Sequence, residues 1–142
     1  MNRKTIIFFS ILFIALSCGK EMHSTILKQG DWSIEKLYVK QEFPGKTSEY
    51  NLENAGTYHF EKENKGNFTD AIDTSFTNRN FQWSSDGKII SITYDTTSVS
   101  ENWKIIESGL NHQEWEITQN ILHENGGVST TEKRYRKIIL KK

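Results

Sequence analysis

This chain has very little cysteine and proline: one of each in 142 residues. A single cysteine cannot close a disulfide within the chain, so no disulfide framework holds the fold. Long apolar runs are missing too. The longest, Ile6 to Leu16, covers 11 residues, well short of the ~20 that a membrane-spanning helix needs. Neither sign of charge prevails, with 18 basic and 18 acidic side chains. The clustered basic face that nucleic acid requires is absent. Basic residues between Lys133 and Lys142 alternate with apolar ones and read as the solvated face of a strand. No helical periodicity of useful length follows Gly30, which argues against strand–helix–strand units and a parallel sheet. A Gly-x-Ser-x-Gly elbow is lacking, as is any pair of histidines at zinc-binding spacing. No enzymatic activity, metal or cofactor is therefore expected.

The most informative feature present is at the N-terminus. Met1-Asn2-Arg3-Lys4 supplies a basic start and Ile6 to Ile14 an apolar stretch. This is the layout of an export signal. Ala15-Leu16-Ser17-Cys18 then resembles a bacterial lipobox, with the usual order of leucine and small residue exchanged. The resemblance implies a signal peptide over residues 1–17, cleavage before Cys18, and acylation of Cys18 with a palmitate-type lipid. It also implies a lipoprotein anchored in the bacterial cell envelope, with the outer membrane as the expected site, on its periplasmic or surface face. Residues 18–29 read as a lipidated tether with a short helical turn from Met22 to Gln29. The lone thiol is explained by lipidation alone.

Residues 30–142 read as one domain of strands. Period-two alternation or turn-bounded apolar runs mark Asp31–Lys40, Thr57–Glu63, Gly66–Ile72, Arg79–Ser84, Lys88–Tyr94, Ser100–Glu107, Glu114–Ile121 and Thr130–Leu140. Ser85-Asp86-Gly87 and Asn125-Gly126-Gly127 are hairpin signals. Short links force antiparallel neighbours. The expected fold is all-β: an eight-stranded antiparallel up-and-down barrel, which leaves no exposed edges. A two-sheet sandwich is the alternative. The stretch from Gln41 to Ala55, which holds Pro44, reads as a long loop able to cover one end.

Gly30-Asp31-Trp32 matches the Gly-x-Trp signature of lipocalins, at the start of the first strand and after a short helical turn. With eight strands behind it, the chain resembles the lipocalin-like lipoproteins of Bacteroidetes. The resemblance implies that Trp32 plugs the closed end of the barrel. It also implies that an arginine of the last strand, Arg134 or Arg136, packs across the Trp32 indole.

In such a barrel, inward residues either fill the interior or hold one small ligand. The expected lining is Tyr58, Phe60, Phe81, Trp83, Ile90, Ile92, Trp103, Ile105, Trp115, Ile117 and Tyr135, an aromatic-rich set suited to a small hydrophobic ligand. His112, Glu114 and Glu116 alternate with Trp115 and should face solvent, as should His59. The other expectation is a filled barrel that docks a protein partner, as an inhibitor, immunity protein or envelope-complex subunit does. Phe76, in the loop Asp73 to Asn78, is its aromatic anchor.

Overall fold

The computed structural model describes residues 30–72, 78–97 and 99–142. Cys18, the signal segment, the tether and Phe76 lie outside the described residues. The strands are β1 (Gly30–Phe43), β2 (Lys46–Phe60), β3 (Lys65–Asp70), β4 (Arg79–Ser85), β5 (Ile89–Tyr94), β6 (Ser100–Ser108), β7 (His112–Asn125) and β8 (Val128–Lys141). Each pairs antiparallel with its neighbours in sequence, and β8 returns to β1 to close the barrel. The sandwich alternative is thereby set aside.

Alternation places the core. On β4, Phe81 and Trp83 are buried between exposed Asn80, Gln82 and Ser84. On β5, Ile90, Ile92 and Tyr94 point inward from the next strand. The β4–β5 hairpin turns at Asp86-Gly87, where Gly87 takes the φ of +85° that glycine adopts without steric cost. The Asp86 carboxylate accepts the backbone N–H groups of Lys88 and Ile89, both at 2.8 Å. Those two bonds hold its pKa below the usual carboxylate value. A bulge between Ile34 and Lys36 shifts the register of β1 against both neighbours. It adds one residue, so Leu37 and Val39 share the inner face with Trp32 and Ile34 although the spacing breaks parity.

One end of the barrel is closed. Trp32, Trp115 and Leu140 are fully buried there with Gln113. Gln113 is tied down by its amide, which donates to Ser108 Oγ at 2.8 Å and to the Gly109 carbonyl at 3.1 Å. The Trp115 indole N–H donates to Gln113 Oε1 at 3.4 Å. Gly30 and the end of β8 at Lys141 lie at this end.

The segment expected as a loop, Gln41 to Ala55, is instead strand on both arms. β1 and β2 pair up to Phe43 and Lys46 and turn at Pro44-Gly45. Beyond the barrel proper, β2, β1, β8 and β7 continue as a four-stranded extension at the open end. Its strands are partly wet on both faces, so no apolar alternation marks them in the sequence.

The extension is clamped by Glu132, a carboxylate with no exposed surface. Arg134 donates to it through Nε at 2.6 Å and Nη2 at 2.9 Å, the bidentate pairing that suits a guanidinium. Gln41 Nε2 on β1 donates at 3.0 Å, and His123 Nε2 on β7 lies 2.7 Å away. Three strands thus meet at one carboxyl group. The Arg134 bond is the main reason its pKa falls to about 2, against the opposing effect of burial. Because the folded value lies below the usual 4.5, this stabilisation is complete above about pH 4.5 and is lost as pH falls toward 2. In acid thermal melts, the Tm of the wild-type chain should drop across that window, and the drop should shrink in Glu132→Gln. Parallel acid limbs for the two proteins would show that the clamp does not contribute.

Candidate functional site

At the open end the barrel holds a cavity of about 220 Å³. Its apolar part is made by Ile34, Leu37, Ala55, Tyr58, Phe68, Trp103 and Ile138. Ringing these are Asp70, Arg79, Tyr94, Glu101 and Arg136. Each ring residue sits two positions from an inward apolar residue on the same strand, as Glu101 does from Trp103 and Arg136 from Ile138. Strand periodicity therefore aims all of them inside.

Charges placed there must be paired. Arg79 Nη2 donates to Asp70 Oδ2 at 2.8 Å, with its guanidinium 5.5 Å from the Phe68 ring centre and 5.7 Å from that of Tyr94. Arg136 Nη2 donates to Glu101 Oε1 at 2.6 Å and to Gln119 Oε1 at 2.7 Å. Its guanidinium lies 4.9 Å over the Trp103 ring, whose N–H donates to the other oxygen of Glu101 at 3.1 Å. The Nε of Arg136 is buried without a hydrogen-bond partner. The hydroxyls of Tyr58 and Tyr94 are 3.2 Å apart. Burial pushes the Tyr94 hydroxyl up to about 12 and Tyr58 well above the ordinary tyrosine value, so both stay protonated at neutral pH.

Of the lining residues expected from the sequence, Tyr58 and Trp103 face this cavity. Phe60, Phe81, Trp83, Ile90, Ile92, Trp115 and Ile117 are buried in the core and do not line it. Phe60 packs edge-on against Phe81 and Trp83, with centroids 5.5 and 5.2 Å apart. Ile105 is half-buried against the same cluster. These side chains fill the barrel below the cavity. Tyr135 is a correction. It lies on the outer face, edge-on to Tyr38 at 5.9 Å, and its hydroxyl donates to Glu116 Oε2 at 3.1 Å. Arg134, Arg136, Ile138 and Leu140 take the inner parity of β8, which leaves Tyr135 outside. The arginine over an indole is also placed differently. Arg136 covers Trp103 rather than Trp32, and Arg134 is spent on Glu132. Trp32 is fully buried, with its N–H unpaired.

The outward histidines have local partners. His59 contacts Asp31. The carboxylate oxygens that cluster around the His112 ring nitrogen belong to Glu107 and Glu114, not to Glu116. Lys137 holds Glu114 at 2.6 Å, while Glu116 faces Lys104 and Tyr135. Reasoning on apolar residues alone missed Asp70, Arg79, Tyr94 and Glu101 as cavity residues. The signal was a charged or phenolic residue at inward parity.

No family model matches the sequence, and no curated protein matches it. A solved structure that is similar in shape is a polyisoprenoid-binding domain from Saccharophagus degradans implicated in plant cell wall breakdown. The two share 8% identity at a TM-score of 0.46, over 80% of this chain and 99% of that one. A likeness this slight says nothing about a ligand for the present chain.

The Arg136–Glu101 pair yields a direct test. Arg136→Met leaves Glu101 without its cation and should cost about 3 kcal/mol in urea unfolding. Adding Glu101→Gln should recover part of that loss, with a coupling of about 1–3 kcal/mol across the double-mutant cycle. Additive losses would show the two groups to be energetically independent.

Proposed function

We propose that this chain is a lipocalin-like binding module of the bacterial envelope, anchored through a lipid on Cys18. It holds a small amphiphile at the open end of the barrel and does not turn it over. The observation that carries this reading is the cavity itself, with its apolar floor and its ring of tyrosine hydroxyl and paired arginine and carboxylate groups.

Size narrows the ligand. At about 220 Å³, the cavity is smaller than the ~300–1,000 Å³ of drug-sized sites. It is larger than the ~150 Å³ engineered hole that takes up benzene. A single ring or a short branched chain fits. Hydrogen-bond accounting narrows it further. Two tyrosine hydroxyls share one contact, so one O–H is left to donate. The two carboxylates are matched by two guanidinium groups, so no net charge is offered. The ligand's polar end is therefore an acceptor such as a carbonyl, not a cation. With both acids engaged by arginine and both tyrosines held protonated, no described group of this cavity is free to act as a base on the ligand.

Orientation agrees with a tether. Gly30 is at the closed end, so a chain running back to Cys18 leaves the mouth pointing away from the bilayer. Twelve residues from Cys18 to Gln29 reach at most about 40 Å.

Acetophenone, one ring bearing one carbonyl, is a suitable probe. In nitrogen–proton spectra it should shift the Trp103 indole resonance and leave those of Trp32, Trp83 and Trp115 in place. Tyr94→Phe should weaken this binding about three- to tenfold, the worth of one neutral hydrogen bond. Uniform shifts, or none at millimolar probe, would sink the ligand site. The anchor is checked separately: Cys18→Ser should abolish palmitate labelling and move the chain from the membrane fraction to the soluble one.

A further inference from the structure

The two outer strands of the extension carry different kinds of free edge. Pairing between β6 and β7 runs from Ser108–Gln113 to Lys104–Glu116 and goes no further. From Ile117 to Asn125, β7 is paired through β8 alone among the described residues. Along these nine residues its other side presents the backbone donors and acceptors of every second residue. Such a row is a template for another strand.

On the opposite side, β2 is guarded. Its free stretch carries Lys46, Glu49 and Glu53, and Asn54 breaks the strand with a φ of +52°. Charges and irregularities of this kind discourage edge pairing. The free part of β7 is less guarded. Ile117 to Leu122 contains no charged residue, proline or glycine, and Glu124 is the sole acid of the stretch. Leu122, on its outer face, is 60% exposed.

We propose that two copies of this chain associate through β7, antiparallel, with Leu122 directly opposite the partner's Leu122. Antiparallel pairing keeps outer faces with outer faces, so opposed residue numbers must sum to an even value. Centring on Leu122 satisfies this and covers the exposed leucine with its own copy. The same register sets Glu124 opposite Asn120 and His123 opposite Ile121, so no like charges meet. Centring on Glu124 instead would oppose two carboxylates. The product is one eight-stranded sheet made from two extensions, with both cavities on the same side of it. This register pairs residues 119–125 of each copy, and a seven-residue strand pair is a small interface, below the ~1,200–2,000 Å² of stable complexes. The association is therefore a concentration-dependent equilibrium.

The test uses the full chain in dodecyl maltoside. Sedimentation should show monomer passing to dimer as protein rises to about 200 µM, and Leu122→Lys should raise the dimer dissociation constant at least about tenfold. Leu122 is exposed, so the Tm of that variant should be unchanged. Under mild oxidant, Leu122→Cys should give a disulfide-linked dimer, located by peptide mapping to separate it from any link through Cys18. Glu49→Cys, on the free edge of β2, should cross-link far less. A wild-type chain that stays monomeric throughout overturns the proposal, and so does equal cross-linking from the two edges. Should the lysine variant unfold, the cross-linking comparison decides alone.

Discussion

A guanidinium group inside a β-barrel has to be neutralised where it stands, because moving it to water would mean opening the wall. Arg136 meets that demand with three groups from two strands: the Glu101 carboxylate and the Trp103 ring on β6, and the Gln119 amide on β7. It sits where β6 and β7 stop pairing, and its side chain bridges the strands that their backbones leave apart. The open half of the molecule is organised around this contact. It caps the aromatic core on one side and forms part of the cavity ring on the other.

Below that level the barrel is packed solid. Phe60 contacts Phe81, Trp83 and Trp115 in edge-on arrangements, which suit the ring quadrupole better than face-to-face stacking. Above it, apolar packing gives way to polar pairing, with Arg79 on Asp70 and Arg134 on Glu132. The cavity lies at the boundary between these regimes. Its floor is filled by aromatic side chains, and its ring is made of paired charges and phenols. Unequal strand lengths add a further consequence. β3 to β6 end early while β1, β2, β7 and β8 run on, so the extension has free edges that a symmetric barrel would not have.

Much of this was legible in the residues. Eight strands, their antiparallel order and the inward aromatic set follow from alternation and turn chemistry. Asp86-Gly87 is the plainest case, since its carboxylate and its positive φ both appear in the turn. The stretch from Gln41 to Ala55 was not legible as strand, because alternation is visible only where one face is dry. Tyr135 was read as inward because it is aromatic, yet β8 is a strand whose arginines point in and whose tyrosine points out.

The sequence by itself determined the class of fold and the composition of the core, because period-two burial and short links leave few other antiparallel arrangements. It also held the export-like start and the single cysteine, which no packing alters. Tertiary structure alone decided which indole receives an arginine, how far the barrel is filled and where strand pairing ends. Each of those depends on register. One bulge at Ile34 and Lys36 changes which residues of β1 share a face. The splaying of β6 from β7 likewise decides which charges can meet across the gap.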